Sequence, residues 1–206
     1  MHIRTISKFA AIAICAVATL TAAAAQQNPQ GGAAPAAAPA TPPAPPMRLT
    51  SSAFADSTPI PAKYTCSGQP AAVSPPLAWT DAPAGTMSFV LILHDLEPHP
   101  RKGAEDNLHW MMWNIPATAT SLPEGVPSAS VDLPDGSRQS MGTAPVPGFH
   151  GPCPAMGVNL NHHYAFELFA LDNKLDLVAG STRAQVLSAI DGHIIGHAVL
   201  MGLFHR

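Results

Sequence analysis

Between Met87 and Phe204, hydrophobic residues occur in short runs separated by glycine, proline and acidic residues. Met87–His94 is almost continuously apolar, which predicts a strand that is buried on both faces. Trp110–Ile115 is a second such run, and Pro116 ends it because proline has no backbone donor. Runs this short favour strands over helices, so they indicate a mainly β domain.

Two further segments near the C terminus extend this pattern. In Tyr164–Leu171, alternate side chains point the same way, so Tyr164, Phe166 and Leu168 share one face of a strand. His193–Phe204 predicts a last apolar strand, which is either continuous or follows a bend.

One segment, which begins after Thr182, has helical signals instead. Gln185 lies three residues later and completes a capping box, while Gly192 is typical of a C-terminal stop. The residues that form the apolar stripe are Val186, Leu187 and Ile190. These features predict a peripheral helix beside the β domain.

The N-terminal residues differ in composition from this domain. Residues 1–25 combine a positive start with an apolar run and a small-residue cleavage site, which predicts a signal peptide and export to the periplasm. Residues 26–46 are mostly Ala, Pro, Gly and Gln, so we expect a disordered linker before the domain at 47–206. We expect no stable membrane anchor, because the run is shorter than the ~20 residues a span needs. Cys15 also follows Ile14, where lipidation requires a small residue.

Charge and cysteine content narrow the function classes. The net charge is −3, and loss of the leader makes it more negative, so nucleic acid and anionic lipid are disfavoured as partners. Cys66 and Cys153 remain after the leader is cleaved. In an oxidising compartment they can pair, or they can remain two buried thiols, and their spacing leaves both alternatives open.

Acid, imidazole and phenol groups lie near the ends of the predicted strands. The pieces that carry them, with their neighbours, are Ser74-Pro75-Pro76-Leu77-Ala78-Trp79, Leu93-His94-Asp95, His109-Trp110, Leu122-Pro123-Glu124-Gly125, Gly151-Pro152-Cys153-Pro154 and His162-His163-Tyr164. In this order and spacing the chain resembles bacterial phosphatidylethanolamine-binding proteins, the Raf kinase inhibitor-like group, over Leu49–Arg206. The resemblance implies a central antiparallel sheet, a smaller second sheet and a pocket for phosphate-like groups.

The resemblance also implies which residues form the ligand pocket. They are Asp95, His109, the backbone around Gly151 and Pro152, His162 and Tyr164. The rim differs from relatives, because Asp95-Leu96-Glu97-Pro98-His99-Pro100 replaces Asp-Pro-Asp-Ala-Pro and His163 stands where Arg is frequent. Glu97, His99 and His163 are therefore predicted rim residues, and the imidazoles predict anion affinity that changes between about pH 5 and 8.

These groups have chemistry that suits a small ligand. Two imidazoles and a phenol can donate hydrogen bonds to an anion, and Asp95 can orient His109 or meet the ammonium of a zwitterionic head group. We expect a binding or modulator protein that is not an enzyme and needs no cofactor or metal, and a protein partner is left open. The kinase inhibition of eukaryotic relatives is not transferred, because fold does not carry function.

Other aromatic and imidazole side chains have ordinary explanations. We expect core packing for Trp79, Trp110 and Trp113. We expect surface or hydrogen-bonded structural roles for His94, His150, His193, His197 and His205.

Two alternative functions use other residues. The histidines could bind copper or zinc together with Met111, Met112, Met141 and Met156, although no His-x-x-x-His or Cys-x-x-Cys spacing supports this. Cys153 could be the nucleophile of a hydrolase, with His109 or His162 as its base. The flanking prolines and the lack of an orienting motif disfavour that second alternative.

Overall fold

The structure is a computed structural model that describes residues 45–97, 106–141, 146–157 and 160–206. The predicted signal peptide, residues 26–44 of the predicted linker and the rim residue His99 lie outside the described residues. Within the described ranges, no helix is both long and apolar enough to cross a membrane.

A six-stranded sheet forms the centre of the domain. In spatial order its strands are β2 (Thr58–Pro59), β9 (Ile194–Phe204), β8 (His162–Leu171), β4 (Ser88–Asp95), β5 (Asn107–Pro116) and β7 (Arg138–Gln139). All neighbours are antiparallel except β2 and β9, which are parallel. The predicted mainly β fold with a central antiparallel sheet is confirmed.

A second sheet packs on one face of the first. Its strands, in spatial order, are β1 (Arg48–Thr50), β3 (Leu77–Thr80) and β6 (Ser121–Leu122), and all are antiparallel. Leu49, Trp79 and Leu122 from this sheet share one hydrophobic cluster with residues of the central sheet. This is the smaller second sheet that the resemblance implied, and the apolar interior between the sheets is the larger core.

Strand β4 contributes to both cores of the domain. Phe89, Leu91 and Leu93 enter the core between the sheets, whereas Val90 and Ile92 face the opposite side. All eight residues of the strand are buried, as its unbroken apolar run predicted. The boundary differs by one residue, because Met87 is half-exposed and the strand continues to Asp95.

The strands that carry the candidate site are longer than their apolar runs. Strand β5 begins at Asn107 and β8 begins at His162, so polar residues occupy their first positions. Strand β9 is continuous over its 11 residues, and its pairing with β8 is irregular between Ala170 and Leu171. The strands extend beyond their apolar runs because backbone hydrogen bonds between neighbouring strands define a strand. Polar side chains at the end of a sheet do not interfere with these bonds.

The one α-helix among the described residues, α1 (Arg183–Ile190), covers the outer face of the central sheet. Its capping box is present: Thr182 accepts from the Gln185 amide at 3.3 Å, and the Gln185 side chain accepts from the Thr182 amide at 2.8 Å. Val186 and Ile190 are buried as predicted. The prediction that Leu187 belongs to the apolar stripe was wrong, because its side chain is 41% exposed. Successive residues of a helix are rotated by about 100°, so Leu187 points away from the face that Val186 buries.

The three tryptophans lie in the interior. Trp79 is 3% exposed, and Trp110 and Trp113 are fully buried. Their predicted role in core packing is confirmed.

Candidate functional site

Strand pairing brings the predicted pocket residues to one end of the central sheet. Asp95, the last residue of β4, lies opposite Asn107 on β5 and Tyr164 on β8. His109 and His162 each lie two residues from one of these partners, on the same face of their strands. The sheet therefore gathers four polar residues that are distant in the sequence.

Asp95 is paired with His162. The Asp95 side chain is nearly buried, and its Oδ2 lies 2.9 Å from His162 Nδ1. Its Oδ1 accepts the backbone N–H of Glu97 at 3.1 Å, which fixes the turn after the strand. Asp95 was expected to orient His109, but its carboxylate contacts His162 instead. Strand β8, which begins at His162, pairs directly with β4 and brings this imidazole to Asp95.

His109 is held by different partners. Its Nδ1 donates to the carbonyl of His150 at 3.0 Å, and the Asn107 side chain donates to its Nε2 at 3.2 Å. Burial lowers the pKa of His109, despite the favourable charge of nearby Asp95. The lowered pKa favours the neutral imidazole of His109, and the contact with the His150 carbonyl assigns its proton to Nδ1. Asn107 was missed from the sequence, and its signal was a polar residue two positions before His109 on the same strand face.

Tyr164 lies between the two imidazoles. Its ring contacts His109 edge-on at a centroid distance of 5.3 Å and lies nearly parallel to His162 at 6.4 Å. Burial, together with the charge of Asp95, raises the pKa of Tyr164 far above its usual value, so the phenol keeps its proton. Among the described residues, no acceptor has full hydrogen-bond geometry to this buried hydroxyl. The phenol is therefore a buried donor that interacts with the Asp95 carboxylate without completing a full hydrogen bond.

Gly151 and Pro152 form one wall of the pocket, and their backbone is closely packed. A Cβ on Gly151 would lie 2.7 Å from the Ala72 Cβ and 2.8 Å from the Thr65 carbonyl carbon, so only glycine fits. The Pro152 carbonyl accepts the backbone N–H of Cys66 at 3.0 Å. The predicted backbone segment is therefore adjacent to the site and held by close packing.

A disulfide cross-links the same wall of the pocket. Cys66 and Cys153 form a disulfide in the structure, with Cα atoms 5.3 Å apart. This geometry favours the paired alternative over two separate thiols.

Two of the predicted rim residues form a pair. Glu97 Oε1 lies 2.6 Å from His163 Nδ1, and its Oε2 accepts the backbone N–H of His163 at 2.5 Å. The backbone N–H of Leu96 also donates to the His163 carbonyl at 2.9 Å. The rim after β4 is thus attached to the start of β8, and the imidazole of His163 already has an acidic partner.

A second polar cluster lies on the opposite face of the sheet. His94 Nδ1 forms an ion pair with Asp106, and its Nε2 lies 3.1 Å from Glu167 Oε2. Arg183 of α1 ion-pairs with Asp106, and His197 lies 3.3 Å from Glu167. Burial alone would lower the pKa of His94, but Glu167 and Asp106 outweigh it and raise this pKa. These contacts fit the structural roles expected for His94 and His197.

The other histidines in the described ranges also have local partners. His150 contacts the Val146 carbonyl at 2.7 Å, His193 contacts Asp172 at 2.8 Å, and His205 contacts Asn161 at 2.7 Å. These contacts fit the hydrogen-bonded roles expected from the sequence.

The sulfur atoms of the two alternative functions differ in exposure, since Met141 and Met156 are exposed. Met111 and Met112 are fully buried, one in each core. Cys153 is bonded to Cys66 and has no thiol for nucleophilic attack. The hydrolase alternative therefore loses its nucleophile, and the metal alternative loses two of its four methionines.

The fold and site define a class: a two-sheet β domain with a buried acid, imidazole and phenol cluster at the end of its central strands. The sequence model of the family described as "Phosphatidylethanolamine-binding protein" matches residues 50–205. The chain belongs to the phosphatidylethanolamine-binding protein family.

Relatives match the domain over 72% to 99% of their own length. A UPF0098 protein of Methanothermobacter thermautotrophicus is 42% identical over 160 residues, which are 78% of this chain and 99% of the relative. A crystal structure from Chlamydia trachomatis, described as a candidate phosphatidylethanolamine-binding protein homologue, is 37% identical with a TM-score of 0.67 and covers 78% of this chain and 98% of its own. LppC of Mycobacterium tuberculosis, named as a candidate lipoprotein, is 35% identical over 161 residues, which are 77% of this chain and 72% of the relative.

Proposed function

We propose that this chain is an exported, non-catalytic binding or modulator protein whose pocket takes a phosphate-like group, free or as part of a phosphoryl head group. The family description supports a phosphoryl ligand. The N-terminal apolar run supports export to the periplasm, and so does the name of the mycobacterial relative. Export without lipid is favoured, because Cys15 follows Ile14.

The buried hydroxyl of Tyr164, whose contact with Asp95 falls short of a full hydrogen bond, is the observation that carries the proposal. Buried polar groups are nearly always hydrogen-bonded, and leaving one unpaired costs about 1–3 kcal/mol. The hydroxyl lies beside His109 and His162, where a phosphoryl oxygen would accept a hydrogen bond from it. A protonated phenol next to a carboxylate is a donor that suits an anion.

The acidic groups favour a zwitterionic head group over a bare anion. Asp95 and Glu97 both lie at the pocket, and their ion-pair partners are His162 and His163. A bare anion would meet two carboxylates, whereas phosphorylethanolamine can place its ammonium against them. We therefore expect phosphorylethanolamine to bind more tightly than inorganic phosphate.

Isothermal titration with phosphorylethanolamine tests this function. Tyr164→Phe keeps the buried ring but removes the donor, so we expect affinity to fall by about tenfold or more, the value of a hydrogen bond to a charged group. Tyr64→Phe is a matched control, because its hydroxyl donates to Glu124 at 2.6 Å. Equal affinity of the wild type and Tyr164→Phe would reject the proposed site.

A further inference from the structure

The disulfide that cross-links the pocket wall lies at the protein surface. Both Cys66 and Cys153 are exposed, whereas Pro152 and Pro154, which flank Cys153, are buried. An exposed disulfide is open to attack by a thiolate from solution, because exchange requires access to one of its two sulfur atoms. The cross-link is therefore accessible to a reagent, although the backbone beside it is packed.

A positive charge lies beside one of the two sulfur atoms. The guanidinium of Arg206 contacts Cys153, and its Nη1 lies 3.3 Å from the Cys153 Sγ. A neighbouring guanidinium stabilises a thiolate, and a sulfur that departs as a stabilised thiolate is the faster leaving group. The two sulfur atoms are thus not equivalent, and Cys153 is the better leaving group of the pair.

The wall that carries this disulfide also contacts an imidazole of the pocket. His109 Nδ1 donates to the His150 carbonyl at 3.0 Å, and the His150 backbone N–H donates to the His109 carbonyl at 2.9 Å. On its other side, the wall is joined to Cys66 by the disulfide and by the hydrogen bond from the Cys66 N–H to the Pro152 carbonyl. The wall therefore connects the exposed disulfide with the buried His109.

The backbone of the same wall lies beside the Tyr164 hydroxyl. Burial and Asp95 raise the pKa of Tyr164, and the backbone of Cys153 acts in the opposite direction, which places Cys153 next to this hydroxyl. One end of the disulfide is thus adjacent to the donor on which phosphoryl binding depends. A shift of Cys153 would change the surroundings of that donor.

We propose that the Cys66–Cys153 disulfide is a thiol–disulfide exchange site through which a dithiol reductant lowers the affinity of the pocket for its ligand. One thiolate of the reductant attacks Cys66 Sγ and forms a new S–S bond there. The Cys66–Cys153 bond breaks, and its electron pair leaves on Cys153 beside Arg206. The second thiolate of the reductant then attacks the sulfur of its own first thiol and displaces Cys66. The reductant departs as its disulfide, and the two cysteines, reduced by two electrons, take up two protons.

Reduction removes the cross-link but does not break the strand pairing beneath the pocket. Asp95 and Tyr164 lie opposite each other on β4 and β8, and this pairing involves no cysteine. We therefore expect the domain to stay folded while the wall gains freedom. A ligand must then order the wall when it binds, and this cost weakens binding. That the weakened ligand is a phosphoryl group rests on the proposed function, whereas the exchange site does not.

Brief treatment of the oxidised protein with glutathione tests the exchange site. Glutathione is a monothiol, so rapid alkylation of free thiols and peptide mass spectrometry locate the mixed disulfide. We expect glutathione on Cys66 and alkylation on Cys153, in at least about threefold excess over the reverse, and no such excess in Arg206→Gln. Arg48→Gln removes an exposed guanidinium from β1 and, as the control, should keep the preference. No reaction, equal adducts on both cysteines, or an unchanged preference in Arg206→Gln would overturn the inference.

Phosphorylethanolamine titrations of the oxidised and the dithiothreitol-reduced protein test the effect on the pocket. We expect about tenfold weaker binding after reduction, because the ligand then has to order the wall. The variant in which serine replaces both cysteines is the control, and it should bind like the reduced protein with or without dithiothreitol. Circular dichroism of the reduced protein should keep the β-sheet signal, and loss of that signal would contradict the inference.

The two experiments separate this inference from the proposed function. If glutathione reacts at Cys66 and phosphorylethanolamine binds neither redox form, the proposed function fails and the exchange site stands. If both redox forms bind phosphorylethanolamine equally, the inference fails and the proposed function stands.

Discussion

His94 and Asp95 are neighbours on β4, yet their side chains enter two different polar clusters on opposite faces of the sheet. On the His94 face, Arg183 and two carboxylates compensate one another and join α1 to the sheet. On the Asp95 face, the ion-pair partners of Asp95 and Glu97 are imidazoles, and the Tyr164 hydroxyl meets Asp95 without a full hydrogen bond. The difference teaches that imidazole and carboxylate alone do not identify a binding site. The fixed positive charge of Arg183, which has no counterpart in the ion pairs of Asp95 and Glu97, distinguishes the structural network from the pocket.

The largest expected effect concerns the wall of the pocket. Replacing Cys66 and Cys153 together by serine removes a cross-link that spans 87 residues of sequence, so the free energy of unfolding should fall by about 4 kcal/mol. Urea denaturation of the oxidised wild type and the double variant measures this. Complete alkylation of the wild type without reductant would contradict the disulfide.

A smaller loss is expected on the opposite face. Arg183→Met keeps the aliphatic packing of α1 but leaves Asp106 without its guanidinium, and we expect about 2 kcal/mol lower stability. Phosphorylethanolamine affinity should be unchanged, because the pocket lies across the sheet. If Arg183→Met had normal stability and weaker head-group binding, the assignment of a structural role to the His94 cluster and a binding role to the pocket would be contradicted.

The pH dependence of stability should come partly from the His94 cluster. The pKa of His94 is raised in the folded state, so its contribution is complete below the usual value of 6.5 and is lost as pH rises through the folded pKa. The pKa values of Asp106, held down by Arg183 and His94, and of Glu167 are lowered, so their contributions are lost as pH falls through the folded pKa values.

The wild type should therefore exceed His94→Gln in stability most clearly near pH 5.5–6.5, by about 1 kcal/mol or more, with a smaller difference at high pH. Urea denaturation of both proteins at several pH values checks this. His193→Gln, in an exposed pair, is the control variant. A difference that does not change with pH would contradict the role of His94.

The smallest effect is expected at the rim. His163→Gln removes an exposed partner of Glu97, and such pairs contribute less than about 1 kcal/mol to stability. Head-group affinity should change by less than about threefold, since the floor of the pocket keeps its contacts. The floor consists of Asp95, His109, His162 and Tyr164. If His163→Gln lowered head-group affinity as much as Tyr164→Phe does, the rim rather than the floor would make the main contribution to binding.

The sequence predicted the central strands and the capped helix because hydrophobic periodicity and capping are local signals. The resemblance placed Asp95, His109, His162 and Tyr164 in one pocket, and the structure brings them to one sheet end. The choice of His162 over His109 as the partner of Asp95 depends on strand register, which no local pattern specifies.

The second cluster was not predicted for the same physical reason. Asp106, Glu167 and Arg183 come from distant parts of the chain, and they meet only after the helix packs on the sheet. The outward position of Leu187 likewise depended on where α1 packs.

A crystal structure grown with phosphorylethanolamine tests the central claim most directly. We predict the phosphoryl group beside His109 and His162, with one oxygen about 2.7 Å from the Tyr164 hydroxyl, the usual length of such a hydrogen bond. Ligand bound away from Tyr164, or a pocket that stays free of ligand at saturating concentration, would contradict the account.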